Sequence, residues 1–221
     1  SRFQVMRQNL KSMRANQIRA LAMRNFIPPN ISKVIDLLDN CEIVTVEGLR
    51  DRVLYELDKY QKDIKGGEFN PGNRFYSQGG VRLDEVSSVE IIADYLKPRL
   101  EADSIVINAE HQTKDKNRID ITASKVMDGI RRLLVIEAKG QWHTELFSAV
   151  GNQLAERYSI HPDAEGQGIY LVIWFGAEEK VANRKQHGLK SADELKAKLE
   201  NDLPKNLVGL IDIFVLDVSK D

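Results

Sequence analysis

Cysteine is all but missing from this chain of 221 residues, and Cys41 alone can close no internal disulfide and build no cysteine-based metal cluster. That scarcity fits a reducing, cytoplasmic compartment. Long apolar runs are missing too. No stretch approaches the eighteen uninterrupted apolar residues of a transmembrane helix, and the opening SRFQVMRQNLK holds no apolar run of the signal-peptide kind, so no membrane partner is expected. The four histidines, His111, His143, His161 and His187, are scattered and show no His-x3-His zinc spacing. There is no P-loop, no Gly-x-Ser-x-Gly elbow and no dinucleotide-binding glycine pattern after a strand. The chain begins with Ser rather than Met, which reads as a processed or excised fragment of something longer, and equally as a tag scar.

What remains is the composition of a folded, soluble protein, 42% hydrophobic and 29% charged. The net charge of −1 conceals an asymmetry: residues 1–25 carry Arg2, Arg7, Lys11, Arg14, Arg19 and Arg24 and no acid, while the rest of the chain is acidic. A basic arm on an acidic body attracts phosphate backbones, and it equally suits the solvated face of a helix docking on a partner.

Helical spacing predicts helices over 4–25, 30–39 and 47–64, the first stopped by Pro28-Pro29. They form an expected N-terminal helical region at 1–65. Residues 66–80, with five glycines and one proline, read as a linker or long loop extending to residue 82. Its Phe69, Arg74, Phe75 and Tyr76 suit base stacking, but a loop fastened to the domain surface by its aromatics is the commoner arrangement. From residue 83 an α/β pattern begins. A helix is expected over 86–97, opened by a Ser87/Glu90 capping box and ended by Pro98. Strands follow at 104–110, 118–123 and 133–139, then a helix at 144–158, a strand at 169–175, a helix near 191–201 and a strand at 209–217. The last two strands are apolar on both faces, as in a sheet covered on both sides.

Four features of this segment carry chemistry. Asp120 lies between Ile119 and Ile121 in a short strand, where an acid on the outward face of an edge strand is the commoner arrangement. In LLVIEAK, alternation puts Glu137 and Lys139 on the face of Leu133 and Val135, so an apolar run ends in an acid and a base. Glu90 borders the apolar stripe of its helix, where it serves as a cap or leans toward the strand carboxylates. Finally, Leu146, Val150, Gln153 and Arg157 make one ridge that starts apolar and ends polar. Burying an unpaired amide there costs about 1–3 kcal/mol, which calls for a partner such as a ligand, Tyr158 or a backbone carbonyl.

Taken in order, Glu90 on a helix, Asp120 on one strand, Glu137 and Lys139 on the next and Gln153 on the following helix resemble the PD-(D/E)XK nuclease superfamily. The resemblance covers roughly residues 84–176, and EAKGQWHTELFSAVGNQLAERY is especially similar to the end of that core. Ile119 stands where the family often has Pro, and Gln153 and Tyr158 are five apart where the exonuclease-like branch usually has four.

The resemblance implies a restriction-endonuclease-like αβββαβ core with a mixed sheet flanked by helices. It implies a metal-dependent nuclease, most readily acting on DNA, of the kind that serves as the cutting module of restriction or phage-defence proteins. Asp120 and Glu137, with the backbone carbonyl of Ala138, would bind Mg²⁺ or Mn²⁺ and Glu90 would complete the acidic shell. Lys139 would orient or help deprotonate the attacking water and stabilise charge on the phosphate. Gln153 would position water or substrate. Arg118, Arg157 and Tyr158 are candidate substrate contacts, as is His143, for which a surface or capping role is the commoner reading. The competing reading is a catalytically silent nucleic-acid-binding or assembly module. In either case the N-terminal helices suit dimerisation or docking on the remainder of a larger chain.

Overall fold

A computed structural model describes residues 43, 45–67, 69–112, 118–127, 129–149 and 162–220, together with positions 13, 17, 20 and 24. The chain divides into two compact units, residues 1–42 and 43–221. In the first, Met13, Gln17, Ala20 and Arg24 are helical and exposed. The expected helix over 30–39 lies outside the described residues.

The second unit is built on a five-stranded mixed sheet in sequential order: β1 (Val106–Gln112), β2 (Arg118–Met127), β3 (Ile130–Gly140), β4 (Gly168–Trp174) and β5 (Ile211–Asp217). The first three strands form an antiparallel meander, and β3, β4 and β5 run parallel. β4 is buried along its whole length, as its unbroken apolar run predicts. The β2–β3 hairpin is longer than expected, continuing through Lys125↔Arg132 and Val126↔Arg131. There the ladder runs beyond the covered part of the sheet, so its side chains need not be apolar.

Helices cover both faces. α1 (Val46–Gly66) and α2 (Glu85–Glu101) pack Leu49, Val53, Leu57, Tyr60, Ile92 and Leu96 against Leu134, Ile136, Leu171 and Ile173. On the other face, α3 (Ala192–Asn201) and Leu146 meet Leu133, Val135, Tyr170 and Val172. α3 starts as expected, with Ser191 accepting from the amide of Glu194 at 3.2 Å. α2 does not. Its cap is Asp84, accepting from the amide of Ser87 at 2.7 Å, and the helix begins two residues before the expected box and runs through Pro98. A proline so near the end removes a single hydrogen bond, to the carbonyl of the exposed Asp94, and the last turn survives it.

The expected boundary after residue 65 is also displaced, because α1 belongs to the sheet. Val53, Leu57 and Leu49 are fully buried and Tyr60 is 1% exposed. Each such side chain contributes about 1.5–3 kcal/mol. Against a net stability of about 5–15 kcal/mol, the sheet cannot dispense with them. Polar bonds secure the same helix: Arg50 Nε pairs with Asp212 at 2.8 Å, and the Gln61 amide both donates to Asp217 O (3.0 Å) and accepts from Asp217 N (2.7 Å).

The glycine-rich stretch is no free linker. Pro71–Phe75 forms a 3-10 turn with Phe75 fully buried between Tyr60 and Phe175. The Tyr76 hydroxyl donates to Val218 O at 3.0 Å, while Phe69 and Arg74 are exposed.

Candidate active site

The site forms where β2 and β3 part. Their pairing runs from Met127↔Ile130 to Ile121↔Ile136, whereas β2 continues to pair with β1 through Arg118. Beyond Ile136, two alternate amides on the vacated edge of β3 need new acceptors. Asp120 Oδ2 accepts from Ala138 N at 3.0 Å, and Glu85 Oε2, from the first turn of α2, accepts from Gly140 N at 2.9 Å. A strand residue directs its N–H and C=O to the same side. The Ala138 carbonyl therefore faces this fork as well.

Alternation along β3 places Glu137 and Lys139 on the face of Leu133 and Val135, as expected. Both are buried, Glu137 completely and Lys139 to 6% exposure. The Lys139 ammonium lies 2.9 Å from Glu137 Oε1, 3.4 Å from Glu85 Oε1 and 3.7 Å from Asp120 Oδ2. Burial works against the ammonium, but attraction to Glu137, Asp120 and Glu85 outweighs it and holds the lysine above its ordinary range. Lys139 is therefore a fixed cation at neutral pH. Tyr170, paired with Glu137 across the β3–β4 ladder, donates its hydroxyl to Leu146 O at 2.8 Å. Burial, then the charges of Glu137, Glu85, Asp120 and Glu145, push that hydroxyl well above the usual tyrosine range.

The site thus gathers Asp120, Glu137, Ala138 and Lys139, but its helix carboxylate is Glu85. Glu90 is exposed. It lies five residues further on, about 7.5 Å along the helix axis and roughly 140° around it, facing away from Glu85. Glu85, in the first turn of α2, is the residue that reaches Gly140 and Lys139 at the end of β3. Gln153, Arg157 and Tyr158 lie outside the described residues, as does the side chain of Arg118. His143 is half-buried: its amide donates to Gly140 O at 2.9 Å and its Nδ1 accepts from Glu145 N at 3.2 Å, so it closes the turn after β3.

Two further residues shape this end of the sheet. Gln141 is fully buried and uses its whole amide on the 175–179 segment, accepting from Phe175 N and donating to Gly176 O at 3.0 Å and Glu179 O at 3.4 Å. It continues the alternation of Glu137 and Lys139, a signal available in the sequence. Trp142 packs its ring over Gly140 so closely that a Cβ there would lie 2.4 Å from the indole. That contact requires glycine.

The donors fit a hard divalent cation in kind, since three carboxylates from α2, β2 and β3 converge on one positive charge. In place they serve Lys139: among the described residues no group of three His, Cys, Asp or Glu side chains is arranged to hold a metal ion. Also among the described residues, no helix is long and apolar enough to cross a membrane. Compared with protein-family models, curated proteins and solved structures, the chain matches none.

Proposed function

We propose that the 43–221 unit is a metal-dependent phosphodiester hydrolase, a nuclease acting on DNA. The observation that carries the reading is the convergence of Glu85, Asp120 and Glu137 on Lys139 at a fork between two strands. The succession α2–β1–β2–β3–β4, a meander followed by a parallel strand, supports a restriction-endonuclease-like core. Asp120, Glu137 and the Ala138 carbonyl would hold Mg²⁺ or Mn²⁺, with Glu85 in the place expected for Glu90. The ion would neutralise charge on the phosphate and lower the pKa of a water.

The chain's own groups have distinct tasks. Asp120 and Glu85 hold the end of β3 through the Ala138 and Gly140 amides, which fixes Lys139 between them. Lys139, charged at neutral pH, donates hydrogen bonds to a phosphate oxygen or to the attacking water and stabilises the negative charge that develops. Tyr170 keeps its proton and secures the Leu146 carbonyl at the back of the site.

The test is incubation of the chain with supercoiled plasmid in Mg²⁺, Mn²⁺ or EDTA beside Asp120→Ala. Metal-dependent nicking that disappears in the variant is the expected result. The second reading, a catalytically silent nuclease-like module, draws on the pairing of all three carboxylates with Lys139. It predicts no heat of Mg²⁺ or Mn²⁺ binding by titration calorimetry and no nicking.

A further inference from the structure

The chain beyond β4 returns to the end of β3 as a tight turn. Val181 N donates to Arg184 O at 3.0 Å and Arg184 N to Val181 O at 2.8 Å, closing a two-residue hairpin. Its central residues, Ala182 (φ 47°) and Asn183 (φ 62°), are both left-handed, a conformation that suits Asn and that Ala rarely adopts. Ala182 N donates to Gln141 O at 2.8 Å and Asn183 N to Trp142 O at 3.0 Å, so the turn is bonded to the residues two and three beyond Lys139.

The charge on this turn has one sign. Residues 180–190 contain Lys180, Arg184, Lys185 and Lys190 and no acid. Arg184 and Lys185 are exposed, and among the described residues no carboxylate pairs with either. At the root of the turn, the Arg82 guanidinium lies 3.4 Å over the Trp142 ring and its Nε donates to Glu179 at 2.7 Å. Among the described residues, the neighbouring site carries three carboxylates around one ammonium. A polyanion approaching it is repelled unless cations at the rim offset that field, and exposed charges act over about 8–10 Å at ordinary salt.

We propose that the Val181–Lys185 turn, with Arg184 and Lys185 exposed on it and the Arg82–Trp142 stack at its root, is the surface on which the phosphodiester backbone of a DNA strand rests as it enters the Lys139 site. The proposal rests on the hydrolase reading for its orientation toward that site. Its bonds to Gln141 and Trp142 hold the turn in place before any strand arrives.

The experiment is anisotropy titration of a short fluorescein-labelled DNA duplex with the full chain in EDTA, over a series of salt concentrations. Wild type is compared with R184Q/K185Q and with K62Q/K97Q, which removes the same charge from exposed positions on α1 and α2. Thermal melting checks that each variant is folded. R184Q/K185Q is expected to bind about tenfold or more weakly, with the slope of log K against log salt shallower by about 1.8, the value for two phosphate contacts. K62Q/K97Q should bind like wild type. No binding by wild type, unchanged binding by R184Q/K185Q, or an equal loss in both variants overturns the proposal. A matched single-stranded RNA is the second arm: selective loss of RNA but not DNA binding in R184Q/K185Q overturns the assignment to DNA. Plasmid nicking by the same proteins in Mg²⁺ separates the two ideas. Nicking by wild type with unchanged binding by R184Q/K185Q keeps the hydrolase and removes the surface. A selective binding loss without nicking keeps the surface and removes the hydrolase.

Discussion

Asp120 and Glu85 divide between them two alternate amides of β3, those of Ala138 and Gly140, which β2 ceases to pair. Two carboxylates thereby take the place of a backbone ladder. Each also has an oxygen within 3.7 Å of the lysine between them.

The first prediction separates Glu85 from Glu90. Glu85→Gln should lower metal-dependent nicking by roughly a hundredfold or more, the scale for losing one charged group aimed at a reacting phosphate. Glu90→Gln should leave it within about twofold. Rates measured on supercoiled plasmid check both. A reversed order would return the helix carboxylate to Glu90.

Lys139 makes the second prediction. Removing one partner of a buried ionic cluster costs about 3–5 kcal/mol, because the carboxylates left behind repel each other in a poorly solvated site. Lys139→Met should therefore melt well below wild type, and added Mg²⁺ should recover part of the loss as the ion replaces the missing charge. Melting curves with and without Mg²⁺ read both effects. A variant as stable as wild type would mean that the three carboxylates do not depend on the lysine charge.

The third concerns domain extent. A fragment spanning 43–221 should fold cooperatively, and one spanning 66–221 should not, since it lacks Leu49, Val53, Leu57 and Tyr60. Within the full chain, Leu57→Ala should destabilise by about 2–5 kcal/mol in urea titration.

The fourth is a pH dependence. Burial raises the Glu179 pKa, but the Lys180 amide and Arg82 outweigh it and hold the carboxyl below the usual glutamate range. A depressed folded-state pKa contributes stability that is present above the unfolded value, about 4.3, and lost as pH falls through the folded one. Glu179→Gln should therefore melt below wild type at neutral pH. The gap should narrow as pH falls below about 4. Parallel curves across that range would exclude the linkage.

Much of this arrangement was legible in the sequence, for identifiable reasons. The strands announce themselves by apolar runs, and alternation alone puts Glu137 and Lys139 on one face. Asp120 draws its meaning from its place in the order of the motifs, since an acid in a short strand by itself more often faces outward from a sheet edge. Glu85 is hidden because Asp84 and Ser87 are equally good cap types, and a helix capped by Ser87 starts past the residue that matters. The stripe Leu49, Val53, Leu57, Tyr60 shows that a helix will bury one face but not which surface receives it, so the sequence alone leaves α1 with the residues before it. The glycines of 66–80 signalled a turn-rich segment and said nothing of Phe75 anchoring it.

The Gln61 amide, paired with both backbone groups of Asp217, imitates one peptide unit of a neighbouring strand at the outer edge of β5. An edge strand is a template on which a second chain can build, and a foreign strand docking at this rung must first displace two bonds already made. The helix that completes the core thus also discourages the sheet from growing past its fifth strand.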